Sequence, residues 1–247
     1  MEAATNTPTV YQGLGWFYDR YWRGLCAKAM PALDRLVLSR LPDHARILDL
    51  CCGTGHISAL LARRSFRVTG LDGSEDMLRF ARANAPTADF VAADVRGFCF
   101  LSCFDAVLST FDSMNHLLSL ADMKLALRNV HQALVPRGVF VFDLNMAEAF
   151  RKEWHKSSTL SERDHLCYVR GRYQKDQKLG VTEITTFRLN DNWTRQDLTI
   201  YQRCYTRADV RRALIESGFA SVNTYTAKAL GMRGRLSVGR VYFAASR

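Results

Sequence analysis

A glycine turn, three strand-end carboxylates and one loop histidine are the residues of this sequence whose types and spacing could do chemistry. The turn lies in Leu48-Asp-Leu-Cys-Cys-Gly-Thr-Gly55, between an apolar run from Arg46 and a stretch to about Arg64 with helical apolar spacing. Gly53 and Gly55 let backbone N–H groups approach a ligand where a side chain would block them, and Thr54 lies between them. A dinucleotide loop would carry a third glycine at position 58, which is Ser58 here. Asp49, just ahead of the turn, would repel a phosphate and suits a ligand with positive charge. Asp72, 17 positions after Gly55, can accept hydrogen bonds from both hydroxyls of a ribose. Taken alone, it fits NAD as well. The oxygens of Asp94 suit an adenine amine and Val95 suits the ring face. Each acid by itself has an ordinary explanation as a turn residue, but all three end successive strands beside the turn, where open α/β sheets bind ligands. His116, in the loop Ser109–Leu117, has an ordinary pKa near 6.5 and could act as a base or as a hydrogen-bond partner.

These residues need a doubly wound sheet to bring them together. Strands are expected at Arg46–Cys51, Phe66–Asp72, Ala88–Asp94, Phe104–Thr110 and Val139–Asp143. Helices are expected between them, one from Glu75 to Asn84 capped by Ser74 and one from Ala121 to Leu134. The pattern then changes to three antiparallel strands, at 166–173, 180–189 and 193–204. A last helix, Arg207–Ser217 behind Thr206, leads to final strands at 220–226 and 240–245. Ahead of the sheet, Leu25–Leu41 has helical spacing, with Pro31 in its first turn or at a kink. An aromatic segment (Tyr11, Trp16, Phe17, Tyr18, Tyr21, Trp22) precedes it, either packed on the core or lying as a lid over a ligand. The expected organisation is one domain, with a lid at 1–44, a binding core at 45–145, the insertion at 151–205 and the last helix and strands at 206–247.

The turn, with its acid, closely resembles the first motif of class I S-adenosylmethionine-dependent methyltransferases, and Gly70–Leu78 resembles the second. Cys51 stands where that family usually has glycine, so its backbone is expected to avoid positive φ. The resemblance implies a Rossmann-like seven-stranded sheet, with the three-stranded sheet inserted between the fifth strand and the last helix. It implies S-adenosylmethionine as cofactor, held by Tyr11, Tyr18, Arg23, Asp49, Cys51, Gly53, Thr54, Gly55, Asp72, Gly73, Met77, Asp94, Val95 and Ser109. The loop Thr110–Leu117 and the insertion are similar to those of small-molecule N-methyltransferases acting on amino sugars or glycine. There a loop histidine and an N-terminal tyrosine approach the acceptor amine, and His116 and Tyr18 are the matching positions. Asp112 and Asn115 are alternative acceptor-binding groups, and Asp143 and Asn145 face the same side of the sheet. The implied reaction is in-line displacement of the sulfonium methyl by a small molecule, through nitrogen in preference to oxygen. In related enzymes the insertion walls the acceptor pocket or makes a subunit contact, so a homodimer is also an expectation.

Composition narrows the alternatives. The chain is 48% hydrophobic, enough for a sizeable core, and no apolar run reaches membrane-spanning length. The N-terminus lacks the pattern of a signal peptide. Seven cysteines, two of them adjacent in a strand and none in a C-x-x-C pair, point to reduced thiols in a cytoplasm. Cys99 and Cys103 read as small core residues, and no metal is expected. Residues 1–150 carry 15 basic and 15 acidic residues, while residues 151–247 carry 19 and 9, so the whole excess of +10 lies in the second part. A basic face on the insertion (Arg170, Arg172, Arg188, Arg195, Arg203) would favour an acidic acceptor if the pocket lies beneath it. The same charge keeps open a methyltransferase acting on RNA or a peptide. Against that reading stand the missing N-P-P-Y-like tetrapeptide and the missing RNA-binding domain. A protein that binds S-adenosylmethionine without catalysis and an NAD-dependent oxidoreductase are the other readings.

Overall fold

The computed structural model describes residues 11–247, so positions 1–10 of the expected lid lie outside the described residues. The chain enters through helix α1 (Gly15–Cys26) and turns into α2 (Met30–Leu36). One helix was expected over Leu25–Leu41. The α-helix there is the shorter Met30–Leu36, with Pro31 in its first turn as expected and tighter 3₁₀ turns at Ala27–Ala29 and Leu38–Arg40 on either side. Strands and helices then alternate: β1 (Arg46–Leu50), α3 (His56–Ala62), β2 (Arg67–Asp72), α4 (Glu75–Asn84), β3 (Asp89–Ala92), β4 (Phe104–Ser109), α5 (Leu120–Ala133) and β5 (Leu134–Asn145). The Ser74 and Ser119 hydroxyls accept from the backbone N–H groups of Met77 and Asp122, so both caps are set by short polar side chains. After α6 (Ala147–Glu153) come β6 (Ser157–Ser161), β7 (His165–Gln174), β8 (Leu179–Leu189) and β9 (Trp193–Arg203). Helix α7 (Arg207–Glu216) and strands β10 (Ser221–Thr226) and β11 (Arg240–Ser246) complete the chain.

The main sheet has the order β10-β11-β5-β4-β1-β2-β3, parallel except for β11, which runs antiparallel to both β5 and β10. The chain switches direction across the sheet between β1 and β4, so a crevice opens at their carboxyl ends. Strands buried on both faces explain the continuous apolar runs. Leu50, Leu71, Val107 and Phe142 pack on one side with α5 and α7, and Ile47, Val68, Leu108 and Tyr242 pack on the other with α2 and α3. Each fully buried side chain of this size contributes about 1.5–3 kcal/mol.

The insertion is a separate antiparallel sheet of four strands, β6-β7-β8-β9, where three were expected. The extra strand is the edge, Ser157–Ser161, whose mostly exposed polar residues carry no apolar alternation for a reader to find. One face of this sheet packs on the N-terminal segment: Cys167, Ile184 and Ile200 join Leu14 and Phe17, together with Met77 of α4. Asp76 of α4 accepts from the backbone N–H groups of Gly13 and Gly15 at 3.0 and 2.8 Å, and Gln196 of β9 donates to the Gln12 carbonyl at 2.6 Å. The N-terminal segment is therefore fixed to both the main sheet's helix layer and the insertion.

Candidate active site

One cavity of about 950 Å³ lies where these parts meet. Strand ends supply Asp49, Cys51, Asp72, Asp94 and Val95 to its wall, and the turns that follow supply Gly53, Thr54, Gly73 and, from α4, Met77. Tyr11 and Tyr18 close it from the N-terminal segment, and Ile184, Ile200 and Gln202 from the insertion. Helix α1 thus both packs on the core and covers the crevice. Asp19 ties it down: its carboxylate accepts from Asn84 at 2.5 Å and lies 3.2 Å from His56, the first residue of α3. Asn84 also donates to the Thr54 carbonyl at 2.9 Å. The role of His56 in this latch was not legible, because its partner lies 37 residues away.

The glycines divide their work. Gly53 sits at φ +54 with open space where a Cβ would point, and its N–H donates to Asp72 at 2.8 Å. Gly55, at φ +75, could carry no Cβ without striking the Ala81 backbone at 2.8 Å, so it serves close packing of α3 on α4 and does not reach the cavity wall. Ser109, fully buried, and Arg23, exposed on α1, also stand off the wall. Cys51 contradicts its expectation: its φ is +61. The turn after β1 demands the left-handed region whatever the side chain, and a small residue bears the cost, about 1–2 kcal/mol. Cys99 also differs from its expectation as a core residue and is exposed.

The three acids differ in state. Asp49 is buried, accepts from Ser58 at 2.6 Å, and burial pushes its carboxyl up to about 6. Burial also raises Asp72, against the pull of the backbone N–H groups of Ser74 and Gly53. Asp94 is lowered, because Arg96 grips it through Nε at 2.9 Å and a second guanidinium nitrogen at 2.5 Å. Burying carboxylates side by side with few cationic partners is costly, so Asp49 and Asp72 call for a ligand that brings positive charge and hydroxyl donors.

A second group of side chains forms another corner of the same cavity. The Tyr11 hydroxyl lies 3.1 Å from His116 Nε2, and the Gln202 amide nitrogen lies 3.3 Å from the same atom. Tyr18, expected beside the acceptor amine, lines the same cavity and meets Tyr11 edge to face at 5.7 Å. Burial lowers His116 to about 4 and raises both phenols, so at neutral pH the imidazole is neutral and the tyrosines keep their protons. Asp112 accepts from Gln202 at 2.6 Å and from Arg240 at 2.6 Å. Asn115 is not available to an acceptor: it is fully buried and bonds the Asn145 and Arg203 carbonyls and the Asn145 N–H.

Comparison with known proteins fits this geometry. A methyltransferase-domain family model matches residues 47–138. YqeM of Bacillus subtilis (strain 168), named as a methyltransferase with no acceptor stated, is 29% identical over 216 residues, covering 85% of this chain and 86% of its own. The dTDP-3-amino-3,6-dideoxy-alpha-D-glucopyranose N,N-dimethyltransferase of Streptomyces fradiae is 36% identical over 142 residues, covering 58% of this chain and 52% of that relative. The S-adenosylmethionine-bound structure of CalS10, an amino pentose methyltransferase from Micromonospora echinaspora, superposes with a TM-score of 0.71 at 26% identity, over 100% of this chain and 99% of that one. The chain is an S-adenosylmethionine-dependent methyltransferase.

The basic face of the insertion does not lie over the cavity of this methyltransferase. On β7 and β8 the cavity-facing residues include Val169, Gly171, Thr182 and Ile184, while Arg170 and Arg172 alternate with them and point away. Arg172 pairs with Glu183 at 2.5 Å, Arg195 with Asp197 at 2.8 Å, and Arg188 stacks over Trp16 at 4.8 Å. The cations on the cavity wall are others: Arg96, Lys156, Arg235 and Arg240. Lys156 and Arg235 share Glu153, at 2.9 and 3.0 Å, which leaves one positive charge in excess there.

Proposed function

We propose that this methyltransferase methylates an amine on a small molecule, an amino sugar carrying an anionic handle being the acceptor that fits best. The observation that carries the reading is the His116–Tyr11 pair, set in the same cavity as the three carboxylates. A hydroxyl acceptor needs a base strong enough to remove its proton, and neither an imidazole with a pKa near 4 nor a protonated phenol is one. An amine with a free lone pair needs only to be oriented. The Tyr11–His116 pair, uncharged and braced by Gln202, does this by flanking the amine and aiming its lone pair at the methyl. S-adenosylmethionine supplies an activated methyl whose leaving group departs as a neutral thioether. In this reading Asp72 accepts from the ribose hydroxyls, Asp94 and Val95 receive the adenine, Met77 flanks it, and Asp49 offsets the positive charge. The chain's contribution is positioning. The pair Lys156 and Arg235 is the place for an anionic part of the acceptor, and the relatives named for sugar-linked amines support that assignment.

The experiment is transfer of labelled methyl from S-adenosylmethionine to dTDP-3-amino-3,6-dideoxyglucose. Labelled mono- and dimethylated sugar is expected. Absence of transfer to this and other amino sugars, together with a salt-dependent gel shift of tRNA, would replace the reading with the nucleic-acid one.

A further inference from the structure

Arg240 is a buried arginine that no sequence motif singled out, only 4% exposed. Its guanidinium divides between two carboxylates, Asp112 at 2.6 Å and Asp143 in a short contact. Asp143 is fully buried, and its oxygens accept from the backbone N–H groups of Phe111 at 2.7 Å and Asp112 at 3.0 Å. Those two residues are consecutive, neither is glycine, and both have left-handed backbones, φ +58 and +54. The chain runs from them into the short turn Ser113–His116. On the other side of Asp112, Gln202 of the insertion donates to it at 2.6 Å and stands 3.3 Å from His116. Strands β5, β9 and β11 therefore converge on one two-residue stretch of backbone.

We propose that Arg240 is a positioning residue for methyl transfer: through Asp143 and Asp112 it locks the left-handed Phe111–Asp112 turn and so fixes where His116 stands in the cavity. The inference rests on the reading that His116 faces the acceptor. Left-handed backbone at two adjacent non-glycine residues persists only when its surroundings over-determine it. Asp143 holds both amides, and a buried carboxylate left without a cation bears a heavy desolvation cost. Arg240 is that cation, and its fork also fixes the side chain of Asp112. A lysine could serve one carboxylate at a time and would lose the fork.

The test is made on ¹⁵N-labelled full-length protein saturated with S-adenosylhomocysteine. In Arg240→Met, the midpoint of His116 ring titration is expected to rise by one pH unit or more, because Asp112 loses its cation. The Phe111 and Asp112 amides are expected to exchange at least tenfold faster, with the Kd for S-adenosylhomocysteine within threefold of wild type. Arg240→Lys should fall between the two. If Arg240→Met does not fold, the double variant Arg240→Met with Asp143→Asn removes the charge pair together and must show the same faster exchange and a displaced His116 titration. A folded variant with unchanged His116 titration and unchanged amide exchange overturns the proposal. His116→Ala separates the two claims: full methyl transfer by that variant sinks the acceptor reading, whereas loss of transfer there with wild-type kcat in Arg240→Met sinks this one.

Discussion

The proposed cofactor rim and the proposed acceptor corner share one cavity and are built in opposite ways. At the rim, each acid sits at the end of its own strand, and its position follows from local backbone: Asp72 is held by the N–H groups of Gly53 and Ser74, and Asp49 by the hydroxyl of Ser58. At the corner, Asp112, Asp143, Gln202 and Arg240 come from four separate stretches and hold one another, with His116 and Tyr11 resting against them. The rim leaves Asp49 and Asp72 without cationic partners, and in the proposed reading a cationic nucleoside completes it. The corner is already satisfied, and its task is to keep a neutral imidazole in place.

The contrast can be broken in several ways. The largest effect is expected from Asp72→Ala, which removes the ribose acceptor and strands two backbone donors. Affinity for S-adenosylhomocysteine, measured by calorimetry, should fall about 100-fold, close to 3 kcal/mol. His116→Ala should lower kcat by roughly 10- to 100-fold while leaving that affinity within about threefold. In the wild type, the pH profile of kcat should show no inflection between about pH 6 and 7, because a histidine titrating near 4 is already neutral there.

Next comes a pH effect at the rim. Asp49 has a folded pKa of about 6, above its unfolded value, so its ionised form costs stability in the unliganded protein. That cost is absent below about pH 4 and complete above about pH 6. A cationic ligand reverses the preference, so S-adenosylmethionine should bind about tenfold more weakly at pH 5 than at pH 7. Asp49→Asn should flatten that dependence, and calorimetry at the two pH values checks it. Gly55→Ala should lower Tm by roughly 4–8 °C, since a Cβ meets the Ala81 backbone and φ is positive. The smallest effect is expected from Arg188→Glu with Arg195→Glu. These side chains are paired or stacked away from the cavity, so acceptor KM should not change.

The same division explains what the sequence made legible. The main sheet and the rim follow from patterns within a few residues: apolar runs, serine caps, the glycine turn and an acid at each strand end. Most rim residues expected there lie on the wall; Ser109 and Arg23 stand off it, and Gly55 misses it because packing against Ala81 uses its missing Cβ. Other features depend on long-range partners. Asp143 and Arg240 are 97 positions apart, and nothing around either announces the other. The Tyr11–His116 contact spans 105 positions, so no local pattern announced it. Strand alternation foretold one basic face for the insertion, and Arg170, Arg172 and Arg195 share it, but Arg188 falls in phase with Ile184 on the opposite face, against Trp16. Asn115 looked like a ligand-binding amide until three backbone groups claimed it.

The most direct test of a single cavity joining a cationic-nucleoside rim to an amine-orienting corner is a crystal structure with S-adenosylhomocysteine. The ribose hydroxyls are expected on Asp72 and the adenine beside Asp94 and Val95, with the sulfur turned toward His116 and Tyr11. A nucleoside bound elsewhere, or a sulfur facing away from His116, would contradict the account.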